Sequence, residues 1–228
     1  LGHNSAAAIH YLSESMIRAF ADRAEHHGDP DFYEVPVKNL LSKEYSKESS
    51  QSVKKDLKTP PELIFPGDFK RSDESPDTTH LSVVDADGNA VSLTYTLGSS
   101  FGSGVTVEKA GFLLNNQMRN FSHYYGDEEA EYGTSEANRL ESGKRMISTQ
   151  APTMVFDPEG NLHMILGSPG GGRIPNILSQ IISNIIDHDL GYAESIMAPR
   201  INQRVGGDLE IERGMSPDTL NLLKSYGH

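Results

Sequence analysis

The character of the sequence changes at the stretch Pro76-Asp77-Thr78-Thr79-His80-Leu81-Ser82-Val83-Val84-Asp85. The residues before it, 54–77, are rich in Lys, Asp, Glu, Ser and Pro, which predicts a mobile connector. From Thr79 onward the pattern is typical of a β-strand, and a second β-rich run at 90–97 follows the turn signal Asp87-Gly88. We therefore expect a β-hairpin to begin at this boundary.

Two threonines, Thr78 and Thr79, stand on the boundary, and their position allows two interpretations. In the first they simply begin a strand, which threonine favours, and these two residues alone favour that interpretation. In the second the chain cuts its own bond between Asp77 and Thr78, so that Thr78 becomes a new N-terminus. An N-terminal threonine can act as a nucleophile because its α-amine, with a pKa of about 7.7–8.0, can accept the hydroxyl proton.

The pattern on either side of the boundary predicts an α+β arrangement of helices and antiparallel strands. Before it, apolar spacings of three and four predict a helix from Asn4 or Ser5 to about His26, and Ser42 begins a shorter helix. Residues 122–145 are polar and acidic, which predicts a long surface loop. The remaining predicted elements are strands at 111–115, 154–156, 162–166 and 208–212 and helices at 173–186, at 192–197 and from Ser216 or Pro217.

Composition and charge exclude several classes of protein. The net charge of −12 argues against nucleic acid or an anionic membrane surface as the main partner. The chain has no cysteine, which excludes a disulfide framework and a thiolate metal site. No apolar run reaches about 18 residues, so the sequence predicts no membrane span. The histidines lack zinc-motif spacing, and Asp85–Asn89 is rejected as a calcium loop because Ala90 and Thr96 occupy its required Gly and Glu positions.

A glycine-rich turn, Gly167-Ser168-Pro169-Gly170-Gly171-Gly172-Arg173, joins a predicted strand to a predicted helix. Its backbone N–H groups can point at an anion, so the turn can hold an oxyanion or a phosphate, or it can be a tight turn without a ligand. Phosphate is the weaker alternative because the turn lacks the ending of a nucleotide P-loop and the spacing of a dinucleotide fingerprint. The amide-rich segment Leu113–Phe121 can likewise contact a polar substrate or close a turn.

Taken in order, these segments resemble the γ-glutamyltransferase (γ-glutamyltranspeptidase) family of N-terminal-nucleophile hydrolases. The segments that carry the resemblance are Leu1–Asp31, Thr78–Ser92, Phe101–Gly104, Leu113–Phe121, Gly167–Ile174 and Ala198–Arg200. The resemblance implies an α+β fold, a four-layer αββα sandwich, of which this chain is an interior piece. It also implies a zymogen that cuts itself between Asp77 and Thr78. Residues 1–77 would be the C-terminal part of the large subunit, and residues 78–228 the small catalytic subunit, truncated at its C-terminus.

The resemblance also assigns roles to individual residues. Thr78 would be the nucleophile for the cut and for turnover, through an acyl-threonine intermediate released to water or to an amino acid. The other implied roles are support of the nucleophile by Thr96, oxyanion-hole amides at Gly170 and Gly171, and substrate binding by Gln117, Ser148 and Thr149. The implied substrates are glutathione-like γ-glutamyl compounds, without a cofactor. The implied partner is the rest of the large subunit, and the implied location is periplasmic or secreted.

Two positions depart from the family pattern. Asn120 stands where the family usually carries Asp, which pairs with the α-ammonium of the substrate, and an amide offers no countercharge. Gly98 stands where Asn often helps to hold the substrate. Asparagine at the position of Asn120 also occurs in the related cephalosporin acylases, whose glutaryl group lacks the amine. Two alternatives therefore stay open: an acylase-like amidohydrolase, and an inactive relative that binds or has a structural role.

Overall fold

The computed structural model describes residues 1–64, 77–122 and 135–228. The predicted connector residues 65–76 and loop residues 123–134 lie outside the described residues. The helices are α1 (Ala6–His26), α2 (Val37–Leu40), α3 (Lys43–Gln51), α4 (Ile174–Ile186), α5 (Tyr192–Met197) and α6 (Pro217–Ser225). The strands are β1 (Thr78–Val84), β2 (Ala90–Thr96), β3 (Thr106–Val107), β4 (Phe112–Leu113), β5 (Thr153–Phe156), β6 (Leu162–Leu166), β7 (Ile201–Asn202) and β8 (Glu210–Ile211).

The chain divides into two compact units. The first unit takes its described residues from 1–72, 120–147 and 182–228, and the second takes them from 73–119 and 148–181. In the part of the chain that the structure describes, the strands form four antiparallel pairs, β1–β2, β3–β4, β5–β6 and β7–β8. The mixture of helices with antiparallel strands confirms the predicted α+β class.

The first unit is built on α1, whose start the sequence predicted. Ser5 is the N-cap, and its hydroxyl oxygen accepts a hydrogen bond of 3.2 Å from the N–H of Ala8. One face of the helix is apolar, so Ile9 and Met16 are buried in a core that includes residues of β7 and α6. The members of this core are Ala6, Ile9, Met16, Ile201, Met215 and Leu223.

Residues 54–64 are anchored to α1, although their composition predicts a mobile connector. The buried carboxylate of Glu14 accepts hydrogen bonds from the N–H of Thr59 at 2.9 Å and from its hydroxyl at 2.6 Å, and it also pairs with Arg18. Burial acts to raise the pKa of Glu14, but the hydrogen bonds from Thr59 and Arg18 outweigh it and the pKa is lowered. Ile64 is buried against Ile17. The prediction of a mobile connector therefore does not hold for 54–64.

The described end of the predicted surface loop is mostly exposed but contains one buried turn. Residues 135–145 contain a turn of 3-10 helix, Glu136–Asn138, in which Ala137 and Asn138 are buried. The turn is buried because it packs closely against Gly28, where a side chain would collide with the carbonyl of Ala137. Most of residues 135–145 are nevertheless exposed, as the prediction of a surface loop requires, and only Ala137, Asn138 and Lys144 are buried.

Two hairpins of the second unit share one turn chemistry. Asp85-Ala86-Asp87-Gly88-Asn89 connects β1 to β2, and Asp157-Pro158-Glu159-Gly160-Asn161 connects β5 to β6. In each turn the aspartate accepts hydrogen bonds from the backbone and side-chain N–H groups of the asparagine, which lower the pKa of the carboxyl. Both carboxylates therefore stabilise their own turns.

A pair of histidines joins the two ends of the first unit. His10 Nε2 lies 2.7 Å from the carbonyl of Lys54, so this nitrogen carries the proton, and Nδ1 accepts from His228 Nε2 at 2.8 Å. The remaining nitrogen of His228, Nδ1, is buried and has no hydrogen-bond partner among the described residues. Burial lowers the pKa of His228 to about 4, assisted by His10 and Lys58 and opposed by Glu14.

This arrangement predicts that acid weakens the first unit. His228 binds its proton near pH 6.5 in the unfolded chain but only near pH 4 in the folded chain, so the free energy of unfolding falls as the pH is lowered between these values. We expect the free energy of unfolding to fall by about 1–2 kcal/mol over this pH range, because the ring is only half-buried. Urea unfolding followed by circular dichroism measures it. His228→Gln keeps an N–H donor but does not titrate, so its free energy of unfolding should fall by that much less on acidification. Equal falls in the variant and the wild type would show that His228 is not the group responsible.

Candidate active site

The two threonines that the resemblance singles out face each other across the first hairpin. Thr78 is the first residue of β1, Thr96 is the last residue of β2, and the two are partners in the strand register. β-branched residues favour such positions, so the strand interpretation of Thr78 is also satisfied. The hairpin therefore holds the Asp77–Thr78 bond beside the side chain of Thr96.

The carbonyl of Asp77 is the acceptor at the end of a short hydrogen-bond chain. The N–H of Gly98 donates to the hydroxyl oxygen of Thr96 at 3.0 Å, and this hydroxyl donates to the Asp77 carbonyl oxygen at 2.9 Å. Each donor polarises the next, so negative charge that develops on this carbonyl oxygen is stabilised. The Asp77 side chain is also held, because the hydroxyl of Ser100 donates to its Oδ2 at 2.6 Å.

The turn that follows β2 is shaped by Asn116. Its Oδ1 accepts the N–H of Ser99 at 3.0 Å, its Nδ2 donates to the hydroxyl of Ser99 at 2.9 Å, and its own N–H donates to the carbonyl of Leu97. Gly98 has a φ of +96°, and a Cβ there would collide with Asn116 Oδ1. A side chain at position 98 would therefore require Asn116 to move.

The glycine-rich turn leads from β6 into α4, as the sequence predicted. Gly170 and Gly171 have φ values of +132° and +53°, which side chains disfavour, and a 3-10 turn over Gly171–Arg173 precedes the helix. Gly167 packs directly on the ring of His80, two residues after Thr78, where any side chain would collide with the ring. The ring is fixed by hydrogen bonds between Nδ1 and Thr94 and between Nε2 and Ser82. Gly167 thus fixes one end of the turn against β1.

The residues predicted to bind substrate lie on loops. Gln117 begins a 3-10 turn, and its N–H donates to Asn115 Oδ1 at 3.0 Å. The hydroxyl of Ser148 accepts the N–H of Gln150 at 3.1 Å, and Thr149 is half-buried beside it in sequence. These residues belong to the second unit, whereas Asn120 belongs to the first. Among the predicted site residues, hydrogen bonds join Thr96 and Gly98 to the Asp77–Thr78 bond, and the roles of the others stay assigned by resemblance.

Sequence reasoning missed Ser100, and it left open whether the segment that contains Asn116 binds substrate or closes a turn. Ser100 holds the Asp77 side chain across 23 positions of the chain, and Asn116 fixes the turn at Gly98 across 17 positions to Ser99. Serine and asparagine are common in turns, so neither residue gives a local signal that distinguishes it from an ordinary loop residue. The pairing of β1 with β2 brings Ser100 to Asp77, and the pairing of β3 with β4 brings Asn116 to Ser99.

In the described ranges 1–64, 77–122 and 135–228, no group of three His, Asp or Glu side chains could hold a metal ion. No helix in these ranges is long and apolar enough to cross a bilayer.

Comparison with known proteins gives one consistent family. Residues 1–228 match the family model described as Gamma-glutamyltranspeptidase. The chain is 42% identical over 229 residues to the Glutathione hydrolase proenzyme of Escherichia coli (strain K12), a match that covers 99% of this chain and 39% of that protein. The chain therefore spans about two fifths of the length of this relative.

Two solved structures extend the comparison. An acivicin-inhibited gamma-glutamyltranspeptidase is 42% identical, with a TM-score of 0.59 over 66% of this chain and 81% of its own. A cephalosporin acylase from Bacillus halodurans is 27% identical, with a TM-score of 0.77 over 100% of this chain and 39% of its own. These likenesses confirm the predicted N-terminal-nucleophile hydrolase fold. The chain belongs to the gamma-glutamyltranspeptidase family.

Proposed function

We propose that the full-length protein is a self-processing hydrolase and acyltransferase for glutathione-like γ-glutamyl amides, with Thr78 as its nucleophile. The observation that carries the proposal is the hydrogen bond of 2.9 Å from the Thr96 hydroxyl to the carbonyl of the Asp77–Thr78 bond. The E. coli relative supports it, because that protein is a glutathione hydrolase and is named a proenzyme.

The proposed cut uses only groups of the chain and water. The hydroxyl oxygen of Thr78 attacks the Asp77 carbonyl carbon, and the oxyanion that forms on the carbonyl oxygen is stabilised by the hydroxyl of Thr96. The carbon–nitrogen bond then breaks, the nitrogen takes up the proton that the Thr78 hydroxyl gave up, and an ester links Asp77 to the Thr78 oxygen. Water hydrolyses this ester, which leaves a carboxylate on Asp77 and a free amine and hydroxyl on Thr78.

Turnover would repeat this chemistry on a substrate. The free α-amine of Thr78 takes the proton of its own hydroxyl, and the oxygen attacks the γ-glutamyl amide carbonyl to form an acyl-threonine. The amine of the substrate leaves with a proton, and water or an amino acid then accepts the acyl group. We assign the oxyanion-hole amides to Gly170 and Gly171, whose left-handed φ values turn the backbone sharply before α4.

The proposed cut divides the chain into residues 1–77 of a large subunit and residues 78–228 of a small one. The match to the acivicin-inhibited enzyme covers 66% of this chain, which is the share that 151 of 228 residues, 78–228, make up. This agreement supports the division. The work on that enzyme describes roles for its C-terminus in autoprocessing and catalysis, so the full-length protein is the form to test.

The partner of this segment would be the rest of its own large subunit. The β1–β2 hairpin leaves Leu81, Val83, Val91 and Leu93 exposed. An antiparallel sheet normally buries at least one apolar face, so these side chains require a cover. The chain spans only 39% of its E. coli relative, and the remaining length of such a precursor is the cover we propose.

The proposal is tested by the intact mass of the purified full-length protein. We expect two fragments that meet at the Asp77–Thr78 bond, with Thr78 as the first residue of the second. A single uncut chain under folding conditions would withdraw the catalytic assignments and favour the inactive relative that binds or has a structural role.

A second candidate, an acylase-like amidohydrolase for glutaryl groups, is favoured by Asn120. In the first unit the side-chain Nδ2 of Asn120 donates to the carbonyl of Ile147 at 3.3 Å. The backbone carbonyl of Asn120 accepts from Nδ2 of Asn138 at 2.7 Å. An aspartate at this position would lose the donor and place a charge near the Ile147 carbonyl. The chain thus has a local reason to keep the amide, which offers no countercharge to a substrate ammonium.

This candidate predicts the effect of Asn120→Asp on selectivity. The new carboxylate should favour γ-glutamyl over glutaryl anilide by about tenfold in the ratio of kcat/KM values, because only the γ-glutamyl compound carries the α-ammonium. Asn120→Ala removes the donor to Ile147 without adding charge, so it is the control for lost packing. Equal ratios in Asn120→Asp and Asn120→Ala would exclude Asn120 as the specificity residue.

A further inference from the structure

A buried carboxylate near the start of the chain binds a residue far along it. The Asp29 side chain is 1% exposed, and Arg145 donates to it from its backbone N–H at 2.8 Å, from Nε at 2.9 Å and from Nη2. The nearby guanidinium holds the pKa of Asp29 far below its usual range. The carboxylate of Asp31 takes a second bond from Nη2 at 2.6 Å, but that side chain is 73% exposed.

The backbone bond distinguishes this pair from an ordinary ion pair. A guanidinium held by a carboxylate fixes only the end of a flexible side chain. Here the N–H of Arg145 donates to the same carboxylate, so the main chain itself is held at residue 145. The link spans 116 positions and cannot be produced by local structure.

Two residues later the same segment is held again. The N–H of Ile147 donates to Asn138 Oδ1 at 3.1 Å, and the carbonyl of Ile147 accepts from Asn120 at 3.3 Å. Asn138 is buried and donates in turn to the carbonyl of Asn120 at 2.7 Å. Residues 145–147 are therefore fixed from Asp29, Asn138 and Asn120, all within the first unit.

Ser148 and Thr149 follow this fixed segment directly in the chain. We infer that Asp29 and Arg145 are positioning residues for the substrate-binding segment at Ser148 and Thr149. The inference rests on the function proposed above and deepens it, because it assigns control of substrate binding to a residue that lies outside the small subunit. Asp29 belongs to residues 1–77 and Arg145 to residues 78–228, so after the cut the pair would join the two fragments.

The test compares three variants of the full-length protein with a chromogenic γ-glutamyl anilide. For Asp29→Asn we expect KM to rise about tenfold while kcat per cut nucleophile stays within about twofold, because the variant loosens binding but leaves Thr78 intact. Arg145→Lys keeps the backbone bond and the charge but loses the planar fork, so its KM should rise about threefold. Asp31→Asn, which touches the same guanidinium from an exposed position, should leave KM within about twofold.

Several outcomes would overturn the inference. A wild-type KM in Asp29→Asn would do so, and so would a loss of activity that only follows the fraction of folded, cut protein measured by intact mass. If Asp29→Asn does not fold, an unchanged KM in Arg145→Lys overturns the inference. Failure of the proposed function is recognised separately, because the wild-type protein would then be uncut or would not turn over the anilide.

Discussion

Thr78→Ala in the full-length protein is expected to leave a single uncut chain without measurable turnover of a γ-glutamyl anilide. The physical reason is that one oxygen performs both reactions: it attacks the Asp77 carbonyl in the cut and the substrate carbonyl in turnover. Alanine also leaves the Thr78 nitrogen inside a peptide bond, where it cannot act as a base. Intact mass measures the cut, and release of the anilide chromophore measures the turnover.

Two neighbouring variants are the controls for this experiment. Thr78→Ser keeps a hydroxyl and should still be cut, with reduced turnover. Thr79→Ala changes an exposed side chain on the next residue of β1 and should be cut like the wild type. A cut at the same bond in the Thr78→Ala protein would mean that a separate protease makes it, and the assignment of Thr78 as the self-cleaving group would be wrong.

The hairpin and helix predictions succeeded where local chemistry decides the structure. The turns at Asp85–Asn89 and Asp157–Asn161 carry their own hydrogen-bond acceptor and a glycine with positive φ, so the sequence alone predicts them. The Ser5 cap and the spacing of apolar residues predicted α1 in the same way. Such signals lie within a few residues of the structure they predict.

The failures have the opposite origin, because they depend on contacts between distant residues. No residue near Thr59 in the sequence predicts that its N–H and its hydroxyl donate hydrogen bonds to Glu14, 45 positions earlier. Composition therefore predicted mobility for a segment that is anchored. The same holds for Asp29 and Arg145, whose bond depends on how the first unit folds. The family resemblance points to Thr78 as the proposed nucleophile, but it does not predict the distant contacts that hold the chain.

The first unit contains residues from both sides of the proposed cut, which bears on how the fragments would behave. Helix α1 packs on α6 and β7, and the N–H of Lys58 donates to the carbonyl of Tyr226 at 2.7 Å. Asn4 donates across the same division to the carbonyl of Pro199 at 3.1 Å. Cutting the Asp77–Thr78 bond breaks none of these contacts. We therefore expect the two fragments to stay associated, with the new N-terminus of Thr78 released at the start of β1.

The hydroxyl of Thr96 is the second group on which the cut should strongly depend. Thr96→Val keeps the shape of the side chain but removes the donor to the Asp77 carbonyl and the acceptor for the Gly98 N–H. Loss of one oxyanion donor typically slows a reaction about 10²–10³-fold, and we expect a decrease of this size in the rate of self-cleavage. Thr96→Ser retains the hydroxyl and should cut within about tenfold of the wild-type rate.

The rate is measured from freshly folded precursor by following the two fragment masses with time. Thr153→Val is the matched control, because its hydroxyl also donates to a backbone carbonyl at 2.9 Å, but that carbonyl belongs to Ala151 and not to the bond that is cut. This variant should cut at the wild-type rate. If Thr96→Val cuts as fast as Thr153→Val, the hydrogen bond to Asp77 only shapes the hairpin, and the oxyanion of the cut must be stabilised by other groups. If only Thr96→Val is slow, the end of β2 is part of the catalytic apparatus for self-cleavage.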